Sequence, residues 1–206
     1  TISLSRNPIF SDETGITPDV FVPDWLHCLS LGIYKRWINW VWHALFDSNA
    51  FNVDRVHAST ADSFLQMCVA LLKEQLFQWY GAEKAAGRNH ARVQTLTPGM
   101  VGESADSELG SWGAETNGLL FFTEHLLEKY GACLEPLQMQ RLVRGTSSLV
   151  GIHRLIKTHT KGSLPPVQIQ EFVDHWKTHM HTLKQLGMDM RPKHHQMAHM
   201  VNKLLS

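Results

Sequence analysis

Leu26, Leu29, Ile33, Trp37, Trp40, Val41, Ala44 and Leu45 recur at intervals of three and four residues, which traces one face of a helix running from Asp24 to about Phe46. Trp25, Cys28 and Trp42 widen that face until most sides of the helix are apolar, so it is expected to lie buried. A second stripe follows the "HAST" stretch: Phe64, Met67, Cys68, Leu71, Leu72, Leu76 and Trp79 share a face, and Ser59 or Thr60 can cap its exposed amides. This helix should end near Gly81 or Gly87. Three further stripes come later in the chain. Trp112 to Tyr130 stops at Gly131; Pro136 opens a run through Ile156 in which Gly145 and Gly151 are weak points for a bend or break; Pro165-Pro166 starts a run that Gly187 closes. A last run begins at Pro192. Ahead of all of these, "DVFV" (19–22) favours a short strand that ends at Pro23. The pattern predicts a mainly α fold with one or few short strands.

Between Gly87 and Trp112 the periodicity disappears into Gly, Ser, Pro and charged residues. That stretch is too long for a simple connector and is expected to be a functional or a mobile loop, spanning about 87–111. No internal repeat or low-complexity tract interrupts the remainder.

Composition narrows the function classes. The 206 residues carry 43% apolar side chains, enough for a substantial core, and Lys plus Arg equals Asp plus Glu at 19 each. No global basic excess marks a nucleic-acid binder, so any DNA contact has to be local, at "YKR" (34–36), "GRNHAR" (87–92) or "RPKHH" (191–195). Cys28, Cys68 and Cys133 are odd in number and widely spaced, which fits a reduced, intracellular setting. The longest apolar run, Trp37 to Phe46, falls short of the roughly 20 residues a membrane span needs. The chain starts at Thr1 and stops inside an amphipathic pattern, so a piece of a longer protein is expected.

Thirteen histidines raise the question of metal. His195 and His199 lie one turn apart on a helix face, as do His175 and His179, and such pairs can share a zinc ion. The zinc-protease pattern also needs a glutamate after its first histidine. Gln196 stands there and cannot act as a base. Around His175 and His179 no Cys or acid lies at ligand spacing. Nucleophile elbows and phosphate-binding glycine loops are absent, and Cys28 points about 100° around the helix from His27, so it is expected in the core. Asp24 stands where a strand gives way to a helix and admits two roles. As an N-cap it accepts first-turn amide hydrogen bonds; as a carboxylate at a strand's end it could hold Mg²⁺.

The segment "PDWLHCLSLGIYKRW" resembles the D-x-[LM]-H-x-x-x-x-G block of eukaryotic DDE-type DNA transposases of the CACTA and Plavaka group, through Asp24, Leu26, His27, Leu31, Gly32 and Ile33. "LTPGMVGESADSELGSWGAETNGLLFFTEHLL" (96–127) looks like the stretch that leads into that family's insertion domain, and "RPKHHQMAHM" (191–200) is similar to its "PKxHxLxHY" block. The three blocks occur in the family's order.

The resemblance implies an RNase H-like α/β core interrupted by a helical insertion, with residues 1–48 as part of the core and 49–206 as the insertion region. It also implies an enzyme that cleaves and joins DNA with Mg²⁺ in the nucleus. Asp24 would be the second of three catalytic acids and a metal ligand, with His27 as its catalytic companion, orienting the carboxylate or approaching the scissile phosphate. Lys193 and His194, at a helix start, would meet a DNA phosphate. Glu115 is either a further acid of the family's motif or a first-turn glutamate favoured by the helix dipole. The first and third acids would lie outside Thr1 to Ser206, so this stretch alone is expected to be inactive. The alternative is a helical scaffold whose Trp-rich helix, 24–46, packs on a protein partner.

Overall fold

The computed structural model describes residues 26–54, 58, 60–158 and 164–205. The expected strand at 19–22, Trp25 and the candidate acid Asp24 lie outside the described residues. Within them every regular element is helical, so the mainly α expectation holds.

A π-helical segment, Leu26–Ile33, runs directly into α1, Tyr34–Asp47. Then come α2 (Ala61–Ala85), the single turn α3 (Pro98–Val101), α4 (Gly113–Tyr130), α5 (Pro136–Thr158), α6 (Pro166–Gln185) and α7 (Pro192–Leu205). The first helix is the axis of the molecule. Tyr34, Ile38, Val41, Trp42 and Leu45 are wholly inaccessible, and the core continues from Cys28 to Val201 through every long helix. Two indoles tie the axis to its neighbours: Trp37 Nε1 donates to Thr146 Oγ1 on α5 at 2.9 Å, and Trp42 Nε1 donates to Thr123 Oγ1 on α4 at 3.0 Å. Each bond satisfies a buried donor that would otherwise cost about 1–3 kcal/mol.

Local chemistry sets the helix ends. Thr60 caps α2 by accepting from Ser63 N–H at 3.1 Å, while Ser63 Oγ accepts from Thr60 N–H at 3.0 Å. Glu115 accepts from Trp112 N–H at 2.8 Å and so closes the start of α4. Helices α2 and α6 end at Gly87 and Gly187, both with positive φ, in paired bonds that return to the last turn. Helix α2 therefore passes through Gly81, and Gly131, with a helical φ of −57°, hands α4 on to a short 3-10 turn rather than reversing the chain.

Gly145 and Gly151 do not bend or break α5, which is helical from Pro136 to Thr158. They are seats. A Cβ at Gly145 would overlap the six-membered ring of Trp37, and one at Gly151 would overlap the imidazole of His175. The helix accepts about 1 kcal/mol of lost propensity at each glycine in return for close packing.

The 87–111 stretch is not a bare loop. Val93, Leu96, Val101 and Leu109 are buried, and its far end is strapped to α1, where Asn39 Nδ2 donates to the carbonyls of Ser104 and Ser107 at 3.0 Å each.

Candidate functional site

The π-helical segment and α7 meet at one corner. Lys193 lies in the first turn of α7, its stem against Gly32, where a Cβ would come within 2.8 Å of Lys193 Cδ. Its ammonium donates to the carbonyl of His27 at 2.7 Å. One turn further along α7, Gln196 Oε1 accepts from the buried Cys28 thiol at 3.6 Å. The candidate residues His27 and Lys193, 166 positions apart, are thus brought together. His27 is exposed and Lys193 half-buried, so the corner opens to solvent. π-helical turns interrupt the regular backbone ladder and occur frequently at functional sites.

His194 faces the other way. Only 3% exposed, it accepts the Arg191 N–H on Nδ1 at 3.1 Å, which caps α7 from within. Its ring stacks on Trp176 and on His179, the latter with centroids 6.0 Å apart and planes 12° from parallel. In this conformation no face of His194 is available to a phosphate. Burial, with Arg36 as the next cause, lowers its pKa to about 4.

Behind that corner lies a polar interior. Arg36, 7% exposed, donates to the Asp189 carbonyl at 2.8 Å and pairs with Asp106 at 3.0 Å, clamping the 102–111 stretch and the approach to α7 onto α1. His179 is completely buried against Trp37 and Trp176, and neither of its ring nitrogens has a hydrogen-bond partner. Burial, then the neighbouring His194, takes its pKa to about 3, so the ring is neutral.

This interior was missed by sequence reasoning, although a signal existed. His179 stands three residues after Trp176 and seven after Phe172, inside the apolar stripe of α6, and His194 stands three residues before Met197 and seven before Val201 on α7. The basic "YKR" patch dissolves in the structure, since Tyr34 and Arg36 are buried. In "GRNHAR", Arg88 is tied up by Glu83 and Arg92 lies over the ring of Tyr80. "RPKHH" keeps its surface at Arg191, Lys193 and His195.

Of the described tryptophans in the stretch 24–46, considered for a protein partner, Trp37 and Trp42 lie in the core and Trp40 is half-buried. His195 and His199 are exposed; His175 is half-buried with Glu171 one turn before it at 3.7 Å, an acid at ligand spacing contrary to the sequence expectation; and among the described residues no group of three or more His, Cys, Asp or Glu side chains could hold a metal ion. The corner itself offers nitrogen donors and an ammonium, which suit an anion; Mg²⁺ requires oxygen ligands that the described residues do not assemble there. No described helix is long and apolar enough to cross a membrane. Set against protein-family models, curated proteins and solved structures, the chain gives no significant match in any of the three.

Proposed function

We propose that the chain carries one catalytic-acid block and most of the helical insertion of an RNase H-like DNA transposase, whose intact form cleaves and joins DNA. The observation that supports this is the meeting of the two short blocks: Lys193 of "RPKHHQMAHM" bonds the backbone of His27 in "PDWLHCLSLG" at 2.7 Å. Blocks 166 residues apart that both serve one phosphodiester site have to converge, and these do. In the proposed role the Lys193 ammonium and the exposed rim of the corner attract a DNA phosphate, while Asp24, two residues before the π-helical segment, supplies a carboxylate for Mg²⁺. In this reading the further carboxylates come from the intact protein rather than from this stretch, which is then inactive alone.

The test is a strand-cleavage assay with the full-length gene product, supercoiled plasmid and Mg²⁺. Nicking that Asp24→Asn abolishes and that Lys193→Ala weakens through DNA affinity supports the assignment. A full-length protein that neither binds nor nicks DNA, or one that nicks as fast with Asn at position 24, refutes it. The scaffold alternative draws less support from the described residues, because Trp37 and Trp42 lie inside the fold and Trp40 is half-buried.

A further inference from the structure

Helices α2, α4 and α5 and the segment after Gly87 line two adjoining open clefts, about 700 and about 330 Å³ in volume. Asn89, His90, Phe121 and Lys157 belong to the walls of both. We propose that this cleft binds a nucleoside monophosphate, with the base in the smaller chamber and the phosphate at Lys157 in the larger. The proposal goes beyond the DNA reading and does not depend on it.

The smaller chamber has the chemistry of a base pocket. Its walls combine the rings of His90, Phe121 and His153 with Ile156, and they contain no carboxylate. His90 lies between Trp79 and Phe121, with centroid distances of 4.8 and 5.6 Å, so the rings form a chain of planar surfaces. A planar heterocycle gains about 1–3 kcal/mol by stacking on such a ring. Asn89 and Asn117 add amide groups of the kind that read a base edge. Ser30 Oγ donates to Asn117 Oδ1 at 2.7 Å, which fixes that amide and leaves its NH₂ as the donor. Gly118 allows the close approach that shapes the chamber, because a Cβ there would stand 3.2 Å from the Ala91 carbonyl and 3.3 Å from His90 Cβ.

Charge selects the anionic end. In the larger cavity Glu83 is paired with Arg88 at 2.6 Å and lies 3.0 Å from His90 Nε2, and Glu124 faces Arg154 at 3.5 Å. Lys157 is the cation left without an ion pair to any described residue, and it stands at the junction of the two cavities. Arg154, paired with Glu124, lies over Phe121 with its guanidinium carbon 5.6 Å from the centroid and holds that wall. Burial first, then Lys157, His90 and Arg154, lower the His153 pKa to about 4. One unpaired lysine, with Glu128 on the rim, suits a single phosphate better than a triphosphate.

Isothermal titration of the whole chain with AMP, UMP, ATP, adenosine and inorganic phosphate tests this. The expected result is a dissociation constant of about 1 mM or tighter for AMP or UMP, with adenosine, phosphate and ATP each weaker by about tenfold. Lys157→Glu should weaken the monophosphate about tenfold and leave adenosine within about twofold, while Lys177→Glu on α6 changes neither. Phe121→Ala should weaken monophosphate and adenosine alike. If its melting transition shows that Phe121→Ala has not folded, Ala114→Trp decides instead, since it fills the smaller chamber from an exposed wall position and should abolish both. No binding of either monophosphate, inorganic phosphate binding as tightly as AMP, or full AMP affinity in Lys157→Glu or Ala114→Trp overturns the proposal.

Discussion

The indole of Trp37 occupies the space that a side chain at Gly145 would need, while its Nε1 donates to the adjacent Thr146 at 2.9 Å. Two opposing effects therefore meet at Gly145→Ala. Helix propensity alone would stabilise α5 by about 1 kcal/mol, since alanine is the better helix former. Overpacking a ring that is fully buried and held by a hydrogen bond costs about 1–3 kcal/mol, and Trp37 has no solvent side to which it can retreat. The net expectation is a loss of stability, read as a lower urea midpoint with an unchanged slope. A more stable Gly145→Ala protein would mean that Trp37 does not sit in this seat.

That seat also marks where the sequence stops being legible. The stripe Ile33, Trp37, Val41 is readable because its spacing is the helix period, and so are the starts of α5 to α7, where proline stands near the first turn. A glycine inside a periodic run looks the same whether it weakens the helix or admits a neighbour. Only the partner distinguishes the two, and Trp37 lies 108 positions away from Gly145. The same distance problem hides Thr123 and Thr146 as acceptors for buried indoles. At the candidate site, two short blocks singled out His27 and Lys193 separately, but nothing in the sequence showed that they touch across 166 positions. The inward turn of His194 was carried by its place on the α7 stripe, which competes with the attraction of calling any histidine at a helix start an anion ligand.

The contact of Lys193 with Gly32 and the His27 carbonyl predicts a coupled pair of substitutions. Gly32→Ala brings a methyl within 2.8 Å of Lys193 Cδ, but a lysine stem is flexible and can swing out, at the expense of its 2.7 Å bond to His27. Gly32→Ala and Lys193→Ala should then each cost up to about 1 kcal/mol and be non-additive, with a coupling of about 0.5 kcal/mol or more in a double-mutant cycle. Denaturant titration of the four proteins measures it. Strict additivity would show that Gly32 and Lys193 are not coupled.

Stability should fall in mild acid through His179 and His194. In the folded chain these rings take up protons only near pH 3 and pH 4, because burial opposes the charged form and each would join Arg36 or the other imidazole in one interior. In the unfolded chain they protonate at the ordinary histidine value of about 6.5. Between those limits the unfolded state binds more protons, so stability is fully present above about pH 6.5 and declines as the pH drops towards 4, by up to ~1.4 kcal/mol per pH unit for each histidine. His153, with its pKa also lowered to about 4, adds to the same slope. His179→Leu isolates one contribution: both ring nitrogens are unpartnered, so an apolar side chain of similar size removes a buried polar group without breaking a bond. The variant is expected to be at least as stable as the parent near neutral pH and to lose less between about pH 6.5 and about pH 4.5, the parent's steeper fall reflecting about one additional proton. Urea midpoints across that range check it, and parallel curves for the two proteins would show that His179 is not held neutral in the core.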